Sequence, residues 1–121
     1  HPSEFFKSPF IRPEDLHHYE GLCDIIKICG RTRGGPDWLA HVVRAYAMGR
    51  FRGNLLDLFD AVEAAAEALF IDNQSLPGDF FEKSSNCDGS CAHCGYCRDL
   101  ARTLVQRKAI LNARPDYGRM D

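Results

Sequence analysis

Cys23-Asp24-Ile25-Ile26-Lys27-Ile28-Cys29-Gly30-Arg31-Thr32-Arg33-Gly34-Gly35-Pro36-Asp37 decides how the fold is read. Its first half is short, β-branched and bounded by Gly30, the pattern of a strand. Only Asp24 and Lys27 interrupt the apolar run, so an inner strand is expected. Its second half is a glycine-rich loop ending on Pro36-Asp37. Proline in a first turn, with an acid beside it, opens a helix. In that helix Leu39, Val42, Val43, Tyr46 and Ala47 recur at helical spacing and predict one apolar face. Arg44 and Arg50 fall toward water.

Working outward, Phe5 to Ile11 is expected as a short strand, with Phe5, Phe6 and Phe10 buried. Pro13-Glu14-Asp15 opens a short helix that faces the core through Leu16, Tyr19 and Leu22. Downstream, Asn54 can cap a helix carrying Leu55, Leu56, Leu58, Phe59 and Val62. The alanine-rich stretch to Leu69 continues it on propensity. Asp72 or Asn73 can cap a third short helix, broken or bent near Pro77-Gly78. Phe80 and Phe81 read as anchors. A last helix is expected from about Cys97 to Leu111, with Leu100, Leu104, Val105 and Leu111 as its stripe and Arg102, Arg107 and Lys108 on its polar side. Asn112 to Asp121 read as frayed. The sum is a helix-rich α+β chain.

The length, 121 residues, fits one domain. The formal net charge of −2 gives no global pull toward nucleic acid or an acidic membrane. No apolar run is long enough to span a bilayer, and no basic-then-apolar leader opens the chain. It begins at His1 with three phenylalanines close behind, which reads as a piece of a larger protein. From Asn54 to Glu82 there are seven acids and no Lys or Arg, a solvated face or a surface for a basic partner.

Function is carried by Cys87-Asp-Gly-Ser-Cys91-Ala-His-Cys94-Gly-Tyr-Cys97. Thiols this dense serve a metal better than a core, because thiolates bind zinc and iron–sulfur clusters tightly. Disulfides between such close neighbours gain little chain entropy. With no secretory signal a reducing cytoplasm is expected. The spacing C-x3-C-x2-C-x2-C differs from the two separated knuckles of structural zinc. Cys91, Cys94 and Cys97 reproduce the C-x2-C-x2-C run that reaches successive corners of a 4Fe–4S cluster. The spacing favours an iron–sulfur cluster on Cys87, Cys91, Cys94 and Cys97, with a zinc ion as the alternative. Cys29, Cys23 and His93 are alternative ligands; a buried place on the strand is the simpler reading of the first two, and a supporting or exposed place that of His93. Tyr96 is expected over the site. Arg98 and the start of the last helix could offset a cluster's negative charge.

The loop 30–35 leads from strand to helix, so Arg31, Arg33 and Gly34 are candidates for anion binding, against an ordinary solvated loop. His17 and His18 are expected at the surface, and Trp38 and Tyr46 in the core. No serine, histidine and acid grouping suggests a hydrolase triad.

Pro13-Glu14-Asp15-Leu16, then Ile25-Ile26-Lys27-Ile28-Cys29-Gly30-Arg31-Thr32, then Val42-Val43-Arg44-Ala45-Tyr46 resembles the collagenase-like peptidase family U-thirty-two, over about Phe10 to Leu58. The resemblance implies a TIM-barrel-like fold, of which this chain supplies the last strand–helix portion and a metal-binding C-terminal extension. On that reading residues 1–58 are the barrel-derived segment and residues 59–121 a helical extension with the cysteine loop, together one compact unit. Some relatives resemble iron–sulfur proteins that support hydroxylation of RNA or of quinone precursors. The implied partner is the remainder of the parent protein or a partner subunit, and the implied role electron transfer or structural support. The family's usual acidic residue before Gly30-Arg31 is Cys29 here, and no catalytic residue carries over. The competing reading is a non-catalytic structural zinc module that mediates a protein or RNA interaction.

Overall fold

Residues far apart in sequence share one apolar core in the computed structural model, which describes residues 2–30, 33 and 35–108. Phe6, Trp38, Val42, Leu55, Leu56, Ala66, Ile71, Phe80 and Leu100 all contribute. Around them stand α1 (Ser3–Lys7), α2 (Pro36–Met48), α3 (Glu63–Ala68), α4 (Phe80–Ser85), α5 (Cys91–Cys94) and α6 (Tyr96–Leu104). Single 3-10 turns or short 3-10 helices occupy Pro13–Tyr19, Leu55–Leu58, Asp60–Val62 and Asn73–Ser75. β1 (Leu69–Ile71) and β2 (Val105–Arg107) pair antiparallel, with Leu69 opposite Arg107 and Ile71 opposite Val105. The described residues are therefore helix-rich, with one small two-stranded sheet.

The strands are not those expected. Ser3–Lys7 is helical, and Phe5 and Phe10 stack at 4.5 Å against the core instead of lying in a sheet. Residues 24–29 form no strand, and Ile25 is 84% exposed. The cause is pairing: a strand needs a neighbour's N–H and C=O groups, and propensity cannot supply them. Among the described residues no partner strand reaches this segment; Cys23 makes an isolated bridge to Glu20. Gly30 instead marks a close approach, since a Cβ there would meet the Trp38 ring at 2.9 Å.

α2 starts at Pro36 and stops at Gly49, whose φ of 70° lets its N–H bond back to Ala45 O and Tyr46 O. Its buried face is Trp38, His41, Val42 and Ala45, and of the predicted stripe Val42 is buried and Tyr46 packs partly buried against the core. Leu39 and Val43 are exposed. Trp38 wins the interior because the largest side chain gains most from burial. Its indole N–H also donates to Asp57 O at 2.7 Å. Arg44 and Arg50 face water as expected.

The helix expected from Asn54 to Leu69 is divided: 3-10 turns occupy Leu55–Leu58 and Asp60–Val62, and the alanine-rich part is helical as α3. Asn54 does cap: its side-chain oxygen accepts the Leu56 N–H. The same oxygen also accepts the Ile71 N–H at 3.0 Å, and its amide donates to Leu69 O at 2.9 Å. That side chain stitches the turn to β1. Asp72 caps Asn73–Ser75 through the Gln74 N–H. The helix expected to reach Leu111 leaves helical geometry after Leu104, where Val105–Arg107 pairs with β1; Leu111 lies outside the described residues.

Two buried polar clusters brace the core. Asn73 is fully buried. It accepts Arg12 Nε on its side-chain oxygen at 2.9 Å and Arg12 Nη2 on its carbonyl at 2.8 Å. Its amide donates to the Glu14 carboxylate and to Phe51 O. Glu14 also accepts the Phe51 N–H at 2.9 Å. In the second cluster Arg33 points inward, 3% exposed, donating to Leu56 O and Phe59 O at 2.9 Å and to Asp57 at 3.3 Å. Burial raises the Asp57 carboxyl above its ordinary 3.8, more than Lys108, Arg33 and His41 lower it.

Two outcomes are expected. Asn73→Ala removes the buried side-chain partner of Arg12 Nε and of the Glu14 carboxylate and costs about 3 kcal/mol, measured by urea unfolding. The raised Asp57 pKa means that its contribution is complete below pH 3.8 and is lost as pH rises through the folded value. The stability difference between Asp57→Asn and the parent chain should therefore shift toward the variant as pH climbs through that window, in parallel melts.

Candidate metal centre

The cysteine loop hangs between α4 and α6. α4 ends where the Asn86 N–H bonds Glu82 O at 3.2 Å and the Cys87 N–H meets Ser84 O at 3.4 Å. Asp88 then accepts the Ser90 N–H at 2.9 Å, a local turn that its short side chain makes available. That bond holds the Asp88 carboxyl below its usual value. The Gly89 N–H points back to Cys87 Sγ at 3.4 Å. α5 is a single turn that separates Cys91 from Cys94, and Gly95, with φ of 68°, redirects the chain into α6. There Cys97 falls in the first turn and packs against the core.

All four thiols line one cleft of about 1120 Å³. Aromatic rings line the same cleft: Phe10 and Phe80 stack at 5.5 Å, and Phe81 stacks on His18 at 4.0 Å. Cys87, Cys91 and Cys94 are exposed and Cys97 is half-buried, all as free cysteines. Burial pushes the Cys97 thiol above its ordinary 9.0, Cys87, Cys91 and Cys94 push it further, and the Lys7 ammonium pulls it back. Cys97 therefore lies within the electrostatic reach of the other three thiols. Tyr96 also lines the cleft, with Lys83 Nζ 5.2 Å from its ring centre. Burial raises its hydroxyl pKa, and Asp79, Cys97 and Cys94 add to that.

The donor set is chemically suited to a soft metal: four thiols and a backbone N–H aimed at one sulfur. The distances are not closed. Among the described residues no three of Cys, His, Asp or Glu stand together closely enough to hold a metal ion. In such loops the ion itself supplies the energy that gathers its ligands.

The other candidates fall elsewhere. His93 lines the cleft and is exposed. Cys23 and Cys29 are exposed on the 23–30 segment and line no part of that cleft. Cys23 Sγ donates to Tyr19 O at 3.7 Å. Of the anion-binding candidates, Arg33 is turned into the protein, while Arg31 and Gly34 lie outside the described residues. Lys7 and the phenylalanine wall were not anticipated at the site. Lys7, Phe6 and Phe10 come from the distant start of the chain, and neither they nor Phe80 and Phe81 carry a local motif for the site.

The chain matches no family model and no solved structure. Over 102 residues it is 40% identical to an uncharacterized protease of Methanocaldococcus jannaschii, a match covering 84% of this chain and 30% of the relative. The chain thus spans less than a third of that protein's length.

The turn at Gly95 is open to a direct check. A Cβ there meets only Asp99, at 4.0 Å, so the cost of substitution is conformational. Gly95→Ala should cost about 1 kcal/mol and Gly95→Asn less, since asparagine tolerates left-handed backbone; thermal melts of the two variants read the difference.

Proposed function

We propose that this chain is part of a larger peptidase-like protein of the U-thirty-two type and carries that protein's metal centre. The ligands are Cys87, Cys91, Cys94 and Cys97, and the group is a 4Fe–4S cluster. When bound, the cluster supplies one-electron transfer or rigid cross-linking of the loop. The chain's own part is to present four sulfurs from one short loop beside a partly apolar cleft. The observation that carries the reading is that four thiols spaced C-x3-C-x2-C-x2-C all line the same cleft. The similarity to a protein named as a protease supports the peptidase-like parent and is silent on metal.

The same proposal accounts for the unpaired segment. In the longer protein residues 24–29 are a strand of a barrel-like sheet, and Ile25, Ile26, Leu39 and Val43 are covered by the remainder of the chain. Their exposure here is what such a covered face looks like when its cover is missing. By the family resemblance, the reaction served would be hydroxylation of RNA or of a quinone precursor.

Purification under anaerobic conditions tests the centre. Brown protein absorbing near the violet end of the visible spectrum, bleached by dithionite, is expected. Cys94→Ser should lose the metal and melt at lower temperature. Colourless protein with stoichiometric zinc in native mass spectrometry would replace the cluster by a structural zinc module. Unchanged metal content and melting in Cys94→Ser would remove Cys94 from the ligand set.

A further inference from the structure

Metal binding by thiols concentrates negative charge, because each thiol gives its proton to water as it binds. A nearby fixed cation eases that concentration. We infer that Lys7, on α1, is the counter-charge of the cysteine centre, and that Glu4 moderates it through their ion pair. This rests on the metal reading above and adds to it an element from the other end of the chain.

Position makes the case. α1 packs along α6, whose first turn bears Cys97. Phe6, only 2% exposed, pins α1 into the core next to Lys7. Lys7 lines the cleft that the four cysteines line. Its side chain is 31% exposed, while Glu4, 3.1 Å from its Nζ, is 66% exposed. The other lysine of the cleft is differently engaged. Lys83 lies 3.8 Å from Asp79, is 54% exposed, and sits over the Tyr96 ring. Arg98, a further cation lining the cleft, is exposed on α6.

A structural role for Lys7 would act through α1 stability and would move with Glu4, since the two form one ion pair on one helix. A counter-charge role predicts opposite signs. Removing Lys7 leaves the centre more negative, and removing Glu4 frees the ammonium to act on it. Both residues are partly exposed, so solvent limits the effect.

Anaerobic titration of the full, metal-free chain with cobalt(II), followed by thiolate-to-cobalt absorption, reads affinity directly. Lys7→Met should weaken binding by about threefold, the scale of a partly exposed charge pair. Glu4→Gln should tighten it, and Lys7→Arg should match the parent chain. The differences should shrink as salt is raised. Equal affinities for the parent chain, Lys7→Met and Glu4→Gln, or shifts of the same sign in both variants, would overturn the role of Lys7 while leaving the metal centre standing. A parent chain that binds no cobalt would overturn this inference, and one that also carries neither cluster nor zinc after anaerobic purification would overturn the metal centre with it.

Discussion

A buried asparagine holds this structure in register. Asn73 receives Arg12, donates to Glu14 and to the Phe51 carbonyl, and gives its own N–H to Gly53 O. One side chain thereby joins the segment after α1, the turn after α2 and the turn after β1. Buried polar groups are costly unless every partner is in place. The network therefore favours one arrangement of three chain segments that hydrophobic packing alone would leave free to slide. Arg12 carries a further constraint, since its guanidinium lies 3.8 Å from the Asp15 carboxylate.

The site inherits its geometry from that brace. Holding residues 12–14 against the core also holds the preceding helix α1, which lies along α6. α6 presents Cys97, and α4 leads into Cys87. Phe10 and Phe80, stacked on each other, line the same cleft as the thiols. Among the described residues the cysteine loop is built from local bonds: an Asp88 turn, one turn of α5 and a left-handed Gly95. A loop of that kind keeps its thiols close in space yet leaves room for an ion to draw them inward.

The places where local pattern misled share a cause. Residues 24–29 have the composition of a strand, and Leu39 and Val43 the spacing of a buried face, yet both are exposed. Sheet formation and helix rotation depend on what lies opposite, which no window of the chain contains. Arg33 shows the same thing at one residue. Its glycine-rich surroundings suggest an anion cradle, but the carbonyls of Leu56 and Phe59 capture its guanidinium. Where a single residue suffices, reading succeeded: Pro36 and Gly49 bound α2, and Asn54 and Asp72 cap their turns.

The sequence by itself determined the two ends of α2, the capping residues Asn54 and Asp72, and the density and spacing of the thiols, because each depends on a residue's own chemistry and that of its near neighbours. Tertiary structure decided which face of α2 is buried, which segments pair as strands, that Arg33 turns inward, and that Lys7 and the phenylalanine wall meet the cysteine loop. Those outcomes depend on groups dozens of residues apart competing for the same interior space and the same hydrogen-bond partners.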